Sequence, residues 1–222
     1  MQRAKPYDCG MSPWHFAVAM ALPLAGLLLA EVRGAPSWKL VCKPLASLIF
    51  VICGALLLPL PERPAVLLLV GLVLSFVGDV LLIPKGKKVT FLLGLGSFLC
   101  AHVAYALAFV LRGVDTQGTL VGAAVMIAAG VPLARWLFSH VQGAMKPPVT
   151  GYVVAITAMV ALAVGAVADG ARLTLAIGAT LFYLSDLCVA RERFVVRSLW
   201  NGIIGLPLYY VAQILLVDGM MP

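Results

Sequence analysis

Residues 64–83 read PAVLLLVGLVLSFVGDVLLI, twenty positions with a single charged side chain, Asp79. An α-helix needs roughly 20 apolar residues to cross a hydrocarbon core of about 30 Å. No water reaches that core to satisfy backbone N–H and C=O groups, so such a run must be helical or part of a closed barrel. Its length favours the helix. Working outward, seven further runs of the same kind appear. Pro13–Ala30 and Trp38–Leu58 precede the quoted run, which is the third predicted helix, Pro64–Ile83. Thr90–Leu111, Gly118–Phe138, Val149–Ala168, Ala171–Ala190 and Arg197–Val217 follow it. Prolines open several of these runs, where a missing N–H costs nothing. Only Asp169 and Gly170 separate the sixth and seventh, so a tight hairpin is expected there. The reading is an all-α polytopic membrane protein, residues 1–222 forming one eight-helix transmembrane domain.

Composition points the same way. Of 222 residues, 63% are hydrophobic and 11% charged, against roughly 45–50% and 25% in soluble domains. So few polar side chains could not cover a water-facing surface of this size. The net charge of +7 does not indicate a nucleic-acid partner, because Lys and Arg sit in short loops rather than on a basic face. They read as topology signals and headgroup contacts. The cysteines Cys9, Cys42, Cys53, Cys100 and Cys188 show no CxxC spacing; they read as small apolar side chains, not a disulfide or metal framework. Arg3 and Lys5 before the first run resemble a signal peptide, but no convincing A-x-A site closes it. That stretch is assigned as the first membrane helix.

The loops carry an orientation. The N-terminus and the loops after predicted helices 2, 4 and 6 hold Arg3, Lys5, Arg63, Arg112 and Arg172. The loops after helices 1, 3, 5 and 7 hold Arg33, Lys39, Lys85, Lys87, Lys88, Arg135, Lys146, Arg191, Arg193 and Arg197. The positive-inside rule makes the second set cytoplasmic and puts both termini outside. A bacterial inner membrane is the expected host.

Charged groups inside a bilayer cost about 2.5–3.5 kcal/mol each on insertion scales, so those that persist attract functional readings. Asp8, Glu31, Glu62, Asp115, Asp169, Glu192 and Asp218 fall at termini, loops or helix ends; only Asp79 and Asp186 lie inside long apolar runs. Both sit about one turn from the expected cytoplasmic end. Lys43 and Asn201 enter the same level from helices 2 and 8. Four polar groups from four helices therefore share one depth. Each Asp could instead reach the interface or accept hydrogen bonds from a neighbouring helix, and Lys43 could snorkel to headgroups. Asp79 and Asp186 stand 107 positions apart (186 − 79), and the same offset sets His102 against Tyr209. A four-plus-four parallel repeat would explain both matches.

Gly94, Phe98, His102, Tyr105 and Phe109 recur at helical spacing on one face of the fourth helix. Asn201, Gly205, Tyr209 and Gln213 do so on the eighth. Tyr210, Tyr152 and Trp200 add amphipathic rings. His102 is either a hydrogen-bonded structural group or a site residue. Together these faces would suit an apolar cavity with a few polar tips, as a lipid-like ligand requires. No GxSxG elbow, HExxH or P-loop occurs. A zinc site would need His102 with both acids at different depths, a poor fit. No metal or cofactor is called for.

Several of these pieces resemble the lysoplasmalogenase (YhhN-like) membrane family. They are Lys43-Pro44, Gly78-Asp79-Val80-Leu81-Leu82, the helix-4 face from Gly94 to Phe109, and Tyr152. Phe182-Tyr183-Leu184-Ser185-Asp186, Ala190, Phe194 and Tyr209-Tyr210-Val211-Ala212-Gln213 complete the set. They occur in family order and cover helices 2 to 8. The resemblance implies an eight-helix hydrolase that cleaves the vinyl ether of lysoplasmalogens to a fatty aldehyde and glycerophosphoethanolamine or glycerophosphocholine. Its partners would be a lysophospholipid substrate and membrane lipids.

Vinyl-ether hydrolysis proceeds by proton transfer to the β-carbon, capture of the oxocarbenium ion by water, and collapse of the hemiacetal. It needs a proton donor, a negative charge near the cation, and water. Two carboxyls in a low-dielectric pocket can divide these tasks, one protonated and one ionised. Asp79 and Asp186 are the expected catalytic pair, with the acid unassigned between them. Lys43 either holds the ionised partner or binds phosphate. Asn201, Tyr209 and Gln213 are expected to position water or glycerol hydroxyls, His102 to relay a proton or touch substrate, and Tyr105 and Tyr152 to line the substrate. Two other classes remain open: a small proton-coupled transporter or lipid-binding protein, for which a liposome flux assay discriminates, and a purely structural role for the acids.

Overall fold

A computed structural model describes residues 10–84 and 88–221. Arg3, Lys5, Asp8, Cys9, Lys85 and Lys87 lie outside the described residues. Among the described residues eight α-helices follow one another: α1 Pro13–Arg33, α2 Pro36–Leu57, α3 Arg63–Leu81, α4 Lys88–Arg112, α5 Thr116–Phe138, α6 Lys146–Ala168, α7 Leu173–Ala190 and α8 Leu199–Met220. All eight are long and apolar enough to cross a membrane. The chain is an integral, multi-pass membrane protein. Large apolar side chains point away from the bundle, with Val18 and Leu22 of α1 75% and 82% exposed. Only lipid makes such a surface inexpensive.

Local chemistry explains the ends. Proline occupies the first or second helical position of α1, α2, α3 and α6, where its fixed φ suits the helix and its absent N–H is not missed. Asp115 caps α5 by accepting from the Gly118 N–H at 2.6 Å. Ser198 caps α8 through the Trp200 N–H at 3.3 Å.

Most boundaries move by one to three residues from expectation, and three of the differences have a clear physical reason. The α6–α7 connection runs from Asp169 to Arg172, longer than the two residues anticipated. Gly170 adopts φ +95°, and the Ala171 N–H bonds back to Ala166 O at 2.8 Å, which draws Ala171 into the turn. After α7 the chain does not become a loop at once: Arg191–Val195 form a π-helical turn. Finally, α8 extends to Met220 because Asp218, in its last turn, is paired. Arg172 Nη1 lies 3.1 Å from its Oδ1 and Thr174 Oγ1 donates to its Oδ2 at 2.7 Å.

Helix α8 is the innermost, buried without a break from residue 212 to 220. It packs on α7, α1 and α2, while α4 packs on α3 and α6. Small residues allow the close approaches that hold membrane helices together. A Cβ at Gly219 would stand 2.6 Å from the Cα of Leu175, and one at Gly71 would collide with Cε1 of Tyr105. Serines add polar stitches: Ser97 Oγ donates to Leu74 O at 2.6 Å and Ser185 Oγ to Gly205 O at 2.9 Å. The pairings α1–α2, α2–α3, α3–α4 and α8–α2 recur four helices on as α5–α6, α6–α7, α7–α8 and α4–α6. The α1–α8 contact has no α4–α5 counterpart of comparable extent.

Candidate functional site

Asp79 lies in the last turn of α3, 3% exposed, and α2 supplies its partners. Lys43 Nζ stands 3.0 Å from Asp79 Oδ1 and also donates to the Asp79 main-chain oxygen at 3.2 Å. Ser47, one helical turn beyond Lys43, donates to Asp79 Oδ2 at 2.6 Å. Spacing of i and i+4 puts Lys43 and Ser47 on the same face of α2. A buried carboxylate is tolerable only when paired and hydrogen-bonded, and both carboxyl oxygens of Asp79 are so satisfied. Tyr209 of α8 comes close enough to Asp79 for their side chains to interact, although among the described residues its hydroxyl meets no partner in full hydrogen-bond geometry.

Asp186, about one turn before the end of α7, has a different setting. The Tyr152 hydroxyl of α6 donates to its Oδ2 at 2.8 Å. His102 Nε2 of α4 approaches the same oxygen at 3.4 Å without hydrogen-bond geometry, and among the described residues neither ring nitrogen has a hydrogen-bond partner. Among the described residues no Lys or Arg stands at ion-pair distance from Asp186. One acid is thus paired with a cation and the other only with an uncharged donor and an imidazole.

Both acids line one cavity of about 520 Å³, together with Lys43, Tyr152, Asn201 and Tyr209. Its other walls are largely apolar, and its mouth lies where Pro84, Arg193 and Arg197 are exposed. Phe98 and Tyr209 contribute aromatic rings to the lining, and Phe182 and Tyr210 pack behind them. Phe182 stacks edge-on against Tyr209 at 5.2 Å and Phe98 at 6.2 Å, and Tyr209 packs on Tyr210 at 4.9 Å.

The remaining expected site residues divide. Tyr105 and Gln213 stand beneath the lining, fully buried; the Tyr105 hydroxyl donates to Gln213 Oε1 at 2.8 Å and contacts Ser75 Oγ at 3.2 Å. They tie α3, α4 and α8 together behind the wall. His102 is also fully buried and lies off the lining, between Tyr152 and Phe182 at ring distances of 5.1 and 4.7 Å. Asn201 faces the cavity, but its amide is occupied. Arg191 Nη1 donates to its Oδ1 at 2.7 Å, and its Nδ2 donates to Glu192 Oε2 at 2.8 Å and Val196 O at 2.9 Å.

Sequence reasoning missed Ser47, Arg193 and Arg197. Ser47 was findable as a small polar residue on the Lys43 face. The arginines were counted as topology signals, and nothing in their spacing foretold the π turn that brings them to the cavity. Chemically, the arrangement offers an ion-paired carboxylate and a separately held carboxyl to a ligand with an apolar tail.

A helical, multi-pass membrane protein with a paired-acid cavity opening at one end of the bundle is the class that the fold and site define. Residues 38–220 match the YhhN family, and the chain belongs to it. It is 29% identical over 209 residues to the lysoplasmalogenase of Mycobacterium tuberculosis, across 91% of this chain and 76% of that protein. It is 32% identical over 191 residues to lysoplasmalogenase TMEM86A of Bos taurus, across 82% and 78% of the two chains. With the Homo sapiens protein of the same name the figures are 33% over 190 residues, 81% and 77%. No solved structure matches the chain.

Proposed function

We propose that this chain is a membrane-embedded hydrolase that cleaves the vinyl-ether bond of lysoplasmalogens, releasing a fatty aldehyde and a glycerophosphodiester. The observation that carries the reading is the meeting of Asp79 and Asp186 in one apolar-walled cavity, with unlike partners. The relatives named lysoplasmalogenase support the substrate class.

In this mechanism Asp186 is the acid. A carboxyl in a low-dielectric site without a cation beside it favours its neutral form, and Tyr152 fixes its direction. Asp186 transfers its proton to the β-carbon of the vinyl ether. The oxocarbenium ion that results is stabilised by the Asp79 carboxylate, which Lys43 and Ser47 hold in place. Water adds to the cation and returns a proton to Asp186. The hemiacetal then passes its hydroxyl proton to the departing glycerol oxygen and opens to the aldehyde. The reaction consumes one water and needs no metal or acyl-enzyme.

The two acid sites read as counterparts in a four-plus-four repeat. Each takes one partner from the second helix of its own half, Lys43 or Tyr152, and one neighbour from the fourth helix of the other half, Tyr209 or His102. By the positive-inside rule the mouth faces the cytoplasm and both termini the opposite side, in a bacterial inner membrane. An N-terminal tag should then be cut by protease added outside spheroplasts; protection from it would reverse the orientation.

The direct test is fatty-aldehyde release by purified protein. A 1-alkenyl lysophospholipid should be cleaved and the matching ester lysolipid left intact. Cleavage of the ester alone would move the protein to another hydrolase class. Flux across liposomes without aldehyde would support the transporter reading.

A further inference from the structure

Three cations (Lys43, Arg193, Arg197) and four carboxylates (Glu31, Asp79, Asp186, Glu192) line the cavity, but they are not matched one to one. Lys43 is committed to Asp79 through both a carboxyl and a main-chain oxygen, so it is poorly placed to serve a second anion. Glu31, at the rim, is ion-paired with Lys39. Glu192 accepts from the Ser198 N–H at 2.9 Å and from Asn201, which anchors the π turn to the start of α8. Arg191 is held by Asn201. Two guanidiniums remain. Arg193 and Arg197 both line the mouth and are exposed. Among the described residues, neither has a carboxylate within ion-pair distance. Arg193 lies 4.3 Å over the ring of Phe91, another lining residue, and that stacking keeps it at the opening.

The spacing is as telling as the charge. Arg193 follows Asp186 by seven residues, a displacement of at most about 10 Å at roughly 1.5 Å per residue, because the π turn rises less than an α-helix. A glycerol unit joining a phosphate at the rim to an ether oxygen beside the acids would bridge such a gap, given the reach of the arginine side chain. Guanidinium offers a rigid fork of donors suited to phosphate oxygens, and it is more weakly hydrated than ammonium.

We infer that Arg193 and Arg197 form a phosphodiester-binding site at the cavity mouth, which seats the headgroup of a single-chain phospholipid with its ether end toward Asp79 and Asp186. The seating toward the acids rests on the hydrolase reading; the phosphate site does not. It makes the enzyme selective for phosphate-bearing lipids over neutral alkenylglycerols.

The test measures binding without turnover, using purified protein in lipid-free maltoside micelles. The probes are a non-hydrolysable 1-alkyl lysophosphocholine and the matching phosphate-free 1-alkylglycerol. Wild type should prefer the phospholipid by about tenfold or more, the equivalent of roughly 1.4 kcal/mol. The Arg193→Gln, Arg197→Gln pair should lose that preference. A preference that survives in the pair overturns the proposal, as does a wild type that shows none. An arginine effect seen in lipid nanodiscs but absent from micelles also overturns it, by assigning the charges to bulk bilayer headgroups. Should the pair fail to fold, the exposed single variant Arg197→Gln reads the same ratio. An arginine-dependent preference in a protein that releases no aldehyde from a vinyl ether would sink the hydrolase reading and leave the phosphate site standing.

Discussion

Asp186→Asn is expected to lower aldehyde release by roughly 10²–10⁴-fold, the range associated with loss of a positioned general acid. The argument rests on what the side chain touches. Tyr152 donates to Asp186 Oδ2 at 2.8 Å, leaving the other carboxyl oxygen as the one able to present a proton to the cavity. Asparagine keeps the shape and can still accept from Tyr152, so the fold should persist. Its amide cannot protonate carbon. Tyr152→Phe is expected to cost less, about tenfold or roughly 1.4 kcal/mol of barrier, because it loosens the acid without removing it. Both variants are read by aldehyde release from 1-alkenyl lysophospholipid, with size-exclusion profiles to establish folding. Wild-type rates in Asp186→Asn would remove the acid from the mechanism.

Asp79→Asn is expected to reduce the rate by roughly 10²–10³-fold, the scale on which a pre-organised electrostatic contact to a developing charge acts. It also leaves the Lys43 ammonium half-buried without its carboxylate. Breaking such a pair from one side costs about 3–5 kcal/mol where it is well buried, whereas replacing both partners is often neutral. A catalytic and a structural role therefore give different patterns. The Lys43→Met, Asp79→Asn double variant should regain the melting temperature lost in Asp79→Asn while its aldehyde release stays low. Recovery of both together would make Asp79 a scaffold residue and nothing more. The double-variant cycle isolates the pair only if methionine makes no new polar contact, which its thioether is poorly equipped to do.

The membrane architecture was legible because its cause is local. Twenty apolar residues in a row have few states in which every backbone group is satisfied, so Pro64–Ile83 and its seven companions declared themselves without tertiary information. Ends were legible wherever one residue type sets them, as proline does for α1 and α3. The α6–α7 hairpin and the π turn after α7 were misjudged for the opposite reason. Each depends on which distant group takes a backbone or side-chain partner, such as Glu192 reaching the Ser198 N–H.

The same division runs through the site. The sequence by itself determined that Asp79 and Asp186 are the costly residues in the spans and that Lys43 and Asn201 share their depth, because depth in a membrane helix follows from position along the chain. Rotation about the helix axis does not. The tertiary packing alone decided that Lys43 and Ser47 turn to Asp79 and that Tyr152 turns to Asp186. It also withdrew Tyr105, His102 and Gln213 from the cavity wall, although all three belong to well-formed helical faces. A face known from periodicity can meet either a neighbouring helix or an open space, and only the arrangement of the other helices distinguishes the two.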